Sequence, residues 1–353
     1  MPNANDILAD LQTKNQHDLE SFKNALSSTA ILFFKRMEKM IQKEIASFYS
    51  EDGELIGNKS DLKKKIKTIQ DVELNKMKDK IFSDVEKVLG VEADVYKKQL
   101  ENTFESVSDF VKIHGVDSAK LKKDFEKSRV SMDKGKTFTI SAFWKTFTNA
   151  VSLRTAQNID SAYQLGKSRK QFNDDLATGF RTGENQLDAT SRTLIEQAFI
   201  VALLGVNNAN KGVVSGYTYD AILDARTSDI CRSLNGLTWI EEFPDKSTLP
   251  YRLTPPQHYR CRSFITPITK SYLEMGITPE DLTLEQKGLL SGELSEVESY
   301  NSWFMRQPNS VQRDVLGSVR YNAFKQSDIA IDKFYNSGSK LTLSQLRSKG
   351  LSI

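Results

Sequence analysis

The chain has 353 residues, 27% charged and 39% hydrophobic, which allows two or three domains with cores of their own and excludes global disorder. Its 49 Lys and Arg against 46 Asp and Glu leave a net charge of +3, too small to mark a nucleic-acid binder, although local basic stripes stay open. Two cysteines in such a length exclude a disulfide scaffold and fit a chain made and kept in a reducing cytoplasm.

The N-terminal stretch MPNANDILADLQTKNQHDLE lacks the basic start and apolar run of a signal peptide. The most apolar short run, TAILFF (29–34), falls far short of the roughly 20 residues of a membrane span, so none is expected. Of eight prolines, only Pro2 precedes Pro244. An interior proline costs a helix about 3 kcal/mol, so this long proline-free stretch permits long helices. Leu19, Phe22, Leu26, Phe33, Met37, Ile41, Ile45 and Phe48 recur at helical spacing among lysines and glutamates. SEDGELIGNKSD (50–61) breaks the pattern, and Ser60 or Asp61 is a plausible cap for a second helix ending at Gly90. A third helical stretch, 91–113, stops at His114-Gly115. Together these predict an elongated helical bundle or arm over 1–138. Lys63, Lys64, Lys65 and Lys67 form a basic run that reads as a solvated face or, more sharply, as a DNA contact.

The second region, 139–270, begins helical and richer in aromatic and small residues. Trp144 and Phe147 read as core residues rather than a base-stacking platform, and 190–212 as a helix buried against something. After Gly212 the pattern turns to strands: GVVSGYTYDAIL (212–223) and CRSFITPI (261–268) read as a pair, with turns at Asn235-Gly236 and Pro244-Asp245 between them. The third region, 271–353, carries a helical stripe of Trp303, Phe304, Val311, Val315, Leu316 and Val319, with Pro308 dividing two short helices. The fold class expected is therefore mainly α: a long helical N-terminal region, a small α+β unit and a short helical C-terminal segment.

Chemistry gathers in two blocks, LDARTSDICRSLNG (223–236) and LTPPQHYRCRSF (253–264), which hold both cysteines and one of the three histidines. Cys231, His258 and Cys261 are zinc-type ligands, three at most. Asp224 is a conceivable fourth, or a water at an open position. The alternative makes Cys231 and Cys261 small buried apolar groups, adjacent across two strands, with His258 hydrogen-bonded locally. Asp224 and Arg226 read either as a catalytic pair or as an ion pair fixing a turn, with Thr227 or Ser228 capping a short helix. Arg262 is expected to pair with Asp224 or Asp229. His17 and His114 fall on helix surfaces without obvious partners, and no catalytic set emerges: no Ser-His-Asp order, phosphate-cradling glycine loop or H-E-x-x-H helix occurs.

The order SRTLIEQAF, then D-x-R-T-x-x-x-C-x-x-L-x-G, then P-P-x-H-x-x-C-R resembles the Mu F-like minor head, or head-morphogenesis, proteins of tailed bacteriophages. Asp224, Arg226, Thr227, Cys231, Leu234, Gly236, Pro255, Pro256, His258, Cys261 and Arg262 carry the likeness, which covers about residues 190–268. Where many relatives read C-R-C, this chain reads Cys261-Arg262-Ser263, so a metal site relying on that last cysteine is not available in the same form. The resemblance implies a virion component at the portal vertex or capsid interior, acting in head assembly, DNA packaging or genome delivery. It implies portal, capsid or scaffold partners, at most weak contact with packaged DNA, no enzymatic role and no cofactor, zinc excepted. Its helical arm would dock on a portal or scaffold through its apolar stripes. The runner-up is a metal-dependent nuclease or toxin-like enzyme centred on Cys231, His258 and Cys261, or on Arg306, Arg313 and Arg320.

Overall fold

The computed structural model describes residues 2–132, 136–250, 252–326, 331–336 and 339–349. Helix accounts for 65% and strand for 9%, so the protein is mainly α. Helix α1 (Ala4–Ala46) starts on a capping box, in which Asn3 accepts from Asp6 N and the Asp6 carboxylate accepts from Asn3 N. Helix α2 (Lys59–Thr103) is capped by Asn58, whose Oδ1 accepts from the amides of Ser60 and Asp61; the cap therefore lies just upstream of both expected residues. It runs through Gly90, joining the expected second and third stretches into one helix of 45 residues. An interior glycine costs about 1 kcal/mol, and the burial of Leu89, Ala93, Tyr96 and Leu100 around it outweighs that.

A short helix α3 (Ser118–Lys127) and an antiparallel hairpin of β1 (Arg129–Met132) and β2 (Lys136–Thr139) follow, none of them evident in the periodicity. Helices α4 (Ile140–Leu165) and α5 (Arg169–Ala209) are separated by Gly166, which takes a left-handed φ of 58°, and by Ser168, whose capping box with Gln171 starts α5. Trp144 and Phe147 lie in the core with ring centroids 5.4 Å apart. Helices α1, α2, α4 and α5 form the bundle. Gly183 of α5 is required where α1 crosses: a Cβ there would come within 2.6 Å of the Phe34 ring. The most apolar 18-residue stretch of helix is in α5, with a mean hydropathy of 1.3, and 89% of it is buried inside the fold.

The stripes expected to dock on a partner are thus spent internally. Leu19, Leu26, Met37, Ile41 and Ile45 are buried, with Phe34 rather than Phe33 completing the α1 face, while Phe22 turns out to solvent. On α2, Lys63 pairs with Asp160 at 2.6 Å and Lys65 with Glu44 at 2.7 Å.

A three-stranded antiparallel sheet packs on the bundle in the order β4-β3-β5, with β3 (Val214–Asp220) central, β4 (Leu237–Ile240) and β5 (Phe264–Thr269). Tyr217 stands opposite Trp239, and Tyr219 opposite Ile265. Every residue of β5 is buried. That strand begins at Phe264, later than expected, and β4 had no separate signal in the sequence. Between β3 and β4 lies helix α6 (Asp229–Leu234).

One apolar core extends from Ala4 to Leu290, across the 138/139 position that lies in β2, and takes in bundle and sheet together. Beyond it come α7 (Leu284–Leu289), α8 (Tyr300–Met305), α9 (Asn309–Leu316), α10 (Ser318–Gln326), β6 (Tyr335–Asn336), β7 (Ser339–Lys340) and α11 (Leu343–Ser348). Residues from Tyr300 to Leu346 build a second, smaller core around Phe304, Leu316, Phe324 and Phe334. Pro308 divides α8 from α9, as expected, but Val319 is exposed.

Candidate functional site

The first block folds into a turn that uses its own side chains. Asp224 Oδ1 accepts from Arg226 N at 2.8 Å, while Thr227 Oγ1 accepts from Asp224 N at 2.8 Å and donates to Ile222 O at 2.6 Å. The turn delivers Ser228 to the start of α6, where its hydroxyl accepts from Cys231 N. Gly236, with φ of 79°, ends the block and donates its amide to Tyr219 O, anchoring the loop to β3.

The second block is an irregular loop between β4 and β5. Pro255 and Pro256 are buried, their shared peptide bond is cis, and Tyr259 stacks on Phe143 of the bundle at 5.3 Å. Arg260 is the only non-glycine with positive φ (58°) among the described residues. Its amide donates to Thr193 Oγ1 at 3.1 Å, and its guanidinium reaches Asp188 at 2.7 Å and Asn185 O at 2.9 Å. Three anchors on α5 hold this backbone in a conformation that costs a side-chain-bearing residue about 1 kcal/mol or more.

The two blocks meet at two clasps. Arg262 donates twice to Asp224, each bond 2.7 Å, in the parallel geometry that makes guanidinium–carboxylate pairs strong. Burial pushes the Asp224 carboxyl up, but the Arg262 hydrogen bonds outweigh it and hold the carboxyl below its usual range. Asp229 is not the partner; it pairs with Arg232 instead. Arg226 keeps its side chain 80% exposed, 3.6 Å from Asp224, so the turn rather than a catalytic pair explains it.

At the second clasp Cys231 Sγ lies 3.1 Å from His258 Nε2 and 3.7 Å from Cys261 Sγ. Both cysteines are buried, yet not across two strands as expected: Cys231 is on α6 and Cys261 is in the loop before β5. Tyr219 OH is 3.5 Å from Cys231 Sγ, and the buried Ser263 hydroxyl lies beside both. The hydrogen bond from the Cys261 thiol, helped by the hydroxyls around it, pulls Cys231 down to about 6, whereas burial pushes Cys261 up to about 12. His258 Nδ1 is 2.8 Å from Tyr259 O; a carbonyl only accepts, so Nδ1 carries the proton and Nε2 presents a lone pair to Cys231 and Ser228. The three ligand atoms lie within 4.8 Å of one another. Asp224 is no fourth ligand, because both its oxygens are taken by Arg262.

Sequence reasoning missed what lies behind these clasps. Lys23 of α1 and Glu196 of α5, both fully buried, form a direct ion pair; Gln16 donates to Glu196 at 3.1 Å and to Arg262 O at 3.3 Å. Burial pushes the Glu196 carboxyl up to about 7 against the pull of Lys23. A glutamate inside the apolar run TLIEQAFIVALL was a visible signal, but Lys23 had none. In front of the clasps opens a cleft of about 770 Å³, lined by His17, Lys23, Arg192, Arg226, Ser228, His258, Arg260, Cys261 and Arg262 together with Glu20, Asp188 and Asp224. His17 therefore faces the site, whereas His114 is tied through its backbone to Asn210.

Arg232, also missed, projects from α6 between the rings of Tyr300 and Tyr335, 4.4 and 4.0 Å from their centroids, and so couples the site to the C-terminal core. The C-terminal arginines do not converge. Arg306 pairs with Glu298, Arg313 lies over the Tyr321 ring, and Arg320 donates to Leu341 O.

No family model matches the chain, and neither a curated protein nor a solved structure matches it.

Proposed function

We propose that the protein is a minor head protein of a tailed bacteriophage, of the Mu F-like kind, placed at the portal vertex or capsid interior and serving head assembly, DNA packaging or genome delivery. The observation that carries this reading is the convergence of three separated sequence blocks. Thr193 of the SRTLIEQAF block, with Asp188 just before it, holds Arg260, the DART turn holds Arg262, and Cys231 meets His258 and Cys261. A motif whose parts serve one folded clasp, rather than a set of reacting groups, suits a protein that positions partners. Because the long apolar stripes are buried in the bundle, contact with a portal or scaffold falls to the exposed surface.

The runner-up, a metal-dependent nuclease or toxin-like enzyme, draws on the cleft beside His258 and Cys261. The carboxylates beside it are all engaged: Asp224 by Arg262, Asp188 by Arg192 and Arg260, and Glu20 and Glu196 by Lys23, which leaves the imidazoles of His17 and His258 to serve as a base. Co-expression with the cognate portal protein tests the first reading, with co-elution on a portal oligomer expected. Failure to bind the portal, combined with cleavage of DNA or RNA that zinc, magnesium or manganese restores and His258→Ala abolishes, would turn the choice to the enzyme.

A further inference from the structure

We propose that Cys231, His258 and Cys261 bind a single zinc ion that fastens α6 to the loop preceding β5. The inference stands on geometry alone and does not depend on the functional reading above. In a tetrahedral site with Zn–S of about 2.3 Å and Zn–N of about 2.0–2.1 Å, two sulfurs stand about 3.8 Å apart, and a sulfur and a nitrogen about 3.6 Å. Here the sulfurs are 3.7 Å apart, already at that spacing, and the nearer sulfur–nitrogen distance is 3.1 Å. Retreat of the imidazole from Cys231 by roughly half an ångström would bring that side to the tetrahedral value, and the third side, His258 to Cys261, lies within 4.8 Å.

The histidine is set for the task. Nδ1 is fixed by the Tyr259 carbonyl, the outer hydrogen bond that metal-bound imidazoles usually make, and it turns the unprotonated Nε2 inwards. Two sulfurs and an imidazole without a bound carboxylate select zinc over magnesium or calcium, which take oxygen ligands. The fourth ligand is an oxygen on the cleft side, either Ser228 Oγ, 2.8 Å from His258 Nε2, or a water admitted by the cleft that Ser228, His258 and Cys261 line. A cysteine at buried Ser263, beside Cys231, would offer a third sulfur, so Ser263→Cys should strengthen the site.

Full-length protein purified under reducing conditions without chelator should carry close to one equivalent of zinc by elemental analysis. Cys231→Ser and His258→Asn should each weaken zinc binding roughly tenfold or more, since even outer-shell changes cost a site that much, while Arg226→Ala keeps it. A variant that loses zinc through misfolding would mislead, so the deciding measurement uses the unaltered protein. Cobalt(II) titrated into metal-free chain should give the intense visible bands of a tetrahedral site and a thiolate-to-cobalt charge-transfer band, both displaced by zinc. Absence of these bands with both thiols reduced would overturn the site and leave two cysteines that merely pack together. A Cys231–Cys261 disulfide in freshly purified protein would overturn it equally.

Discussion

Replacing Arg262 with alanine removes the bidentate clasp between the two motif blocks, and its cost follows from the surroundings. Hydrogen bonds to charged groups contribute about 1.5–3 kcal/mol each when shielded. The Arg262 and Asp224 side chains are 18% and 33% exposed, so water screens part of this. A total near 2 kcal/mol is expected for Arg262→Ala, much of it from leaving the Asp224 carboxylate half-buried without its partner. For a chain of 353 residues that is a fall in Tm of about 3 °C. Asp224→Ala also removes the acceptor of the DART turn, so a double-mutant cycle is needed to isolate the pair, with a coupling of about 1–2 kcal/mol expected from urea unfolding. The pH dependence has a definite sign. A carboxyl held below its usual range stabilises the fold above that range and ceases to do so as the pH falls through it, so the acid limb of the Tm curve should flatten in Arg262→Ala. Single variants unfolding within about 0.5 kcal/mol of the parent, with no coupling, would refute the clasp as a joint between the blocks.

Lys23→Met leaves Glu196 buried without its cation and should cost about 3–5 kcal/mol, a loss that grows as pH rises past 7; Lys23→Met with Glu196→Leu should recover most of it, as read by thermal unfolding. Asp220, buried beside Thr266, is pushed by burial up to about 6, so its ionisation opposes folding. Stability should decline as pH climbs from about 4 to about 6, and Asp220→Asn should flatten that decline and gain about 1–2 kcal/mol at pH 7. Arg232→Ala should detach the C-terminal core from α6, visible as faster amide exchange in 300–346 with bundle exchange unchanged. Gly183→Ala forces its new methyl against the Phe34 ring and should destabilise the fold by about 1–3 kcal/mol of overpacking, read as a lower Tm.

The long helices were legible because the absence of proline and a 3–4 spacing of apolar residues act locally, before any partner is known. Their joints were less so. Gly90 reads as a stop, yet α2 continues through it because the packing of Tyr96 and Leu100 against the bundle decides the matter. The motif residues were legible as a set, and the Arg262–Asp224 pair as one of two options, but not the platform behind them. Lys23 looks like any surface lysine of an amphipathic helix until α1 is laid against Glu196 of α5. Arg260 carries no mark of its left-handed backbone, because that conformation is imposed by Thr193, Asp188 and Asn185 from a helix about seventy residues away in sequence.

The proposal that the protein is a component of a phage particle is tested most directly by quantitative mass spectrometry of purified particles. The account predicts the protein in gradient-purified particles, at few copies relative to the major capsid protein and retained after nuclease and salt washes. Its absence from particles whose portal and capsid proteins are fully covered by peptides would contradict the account.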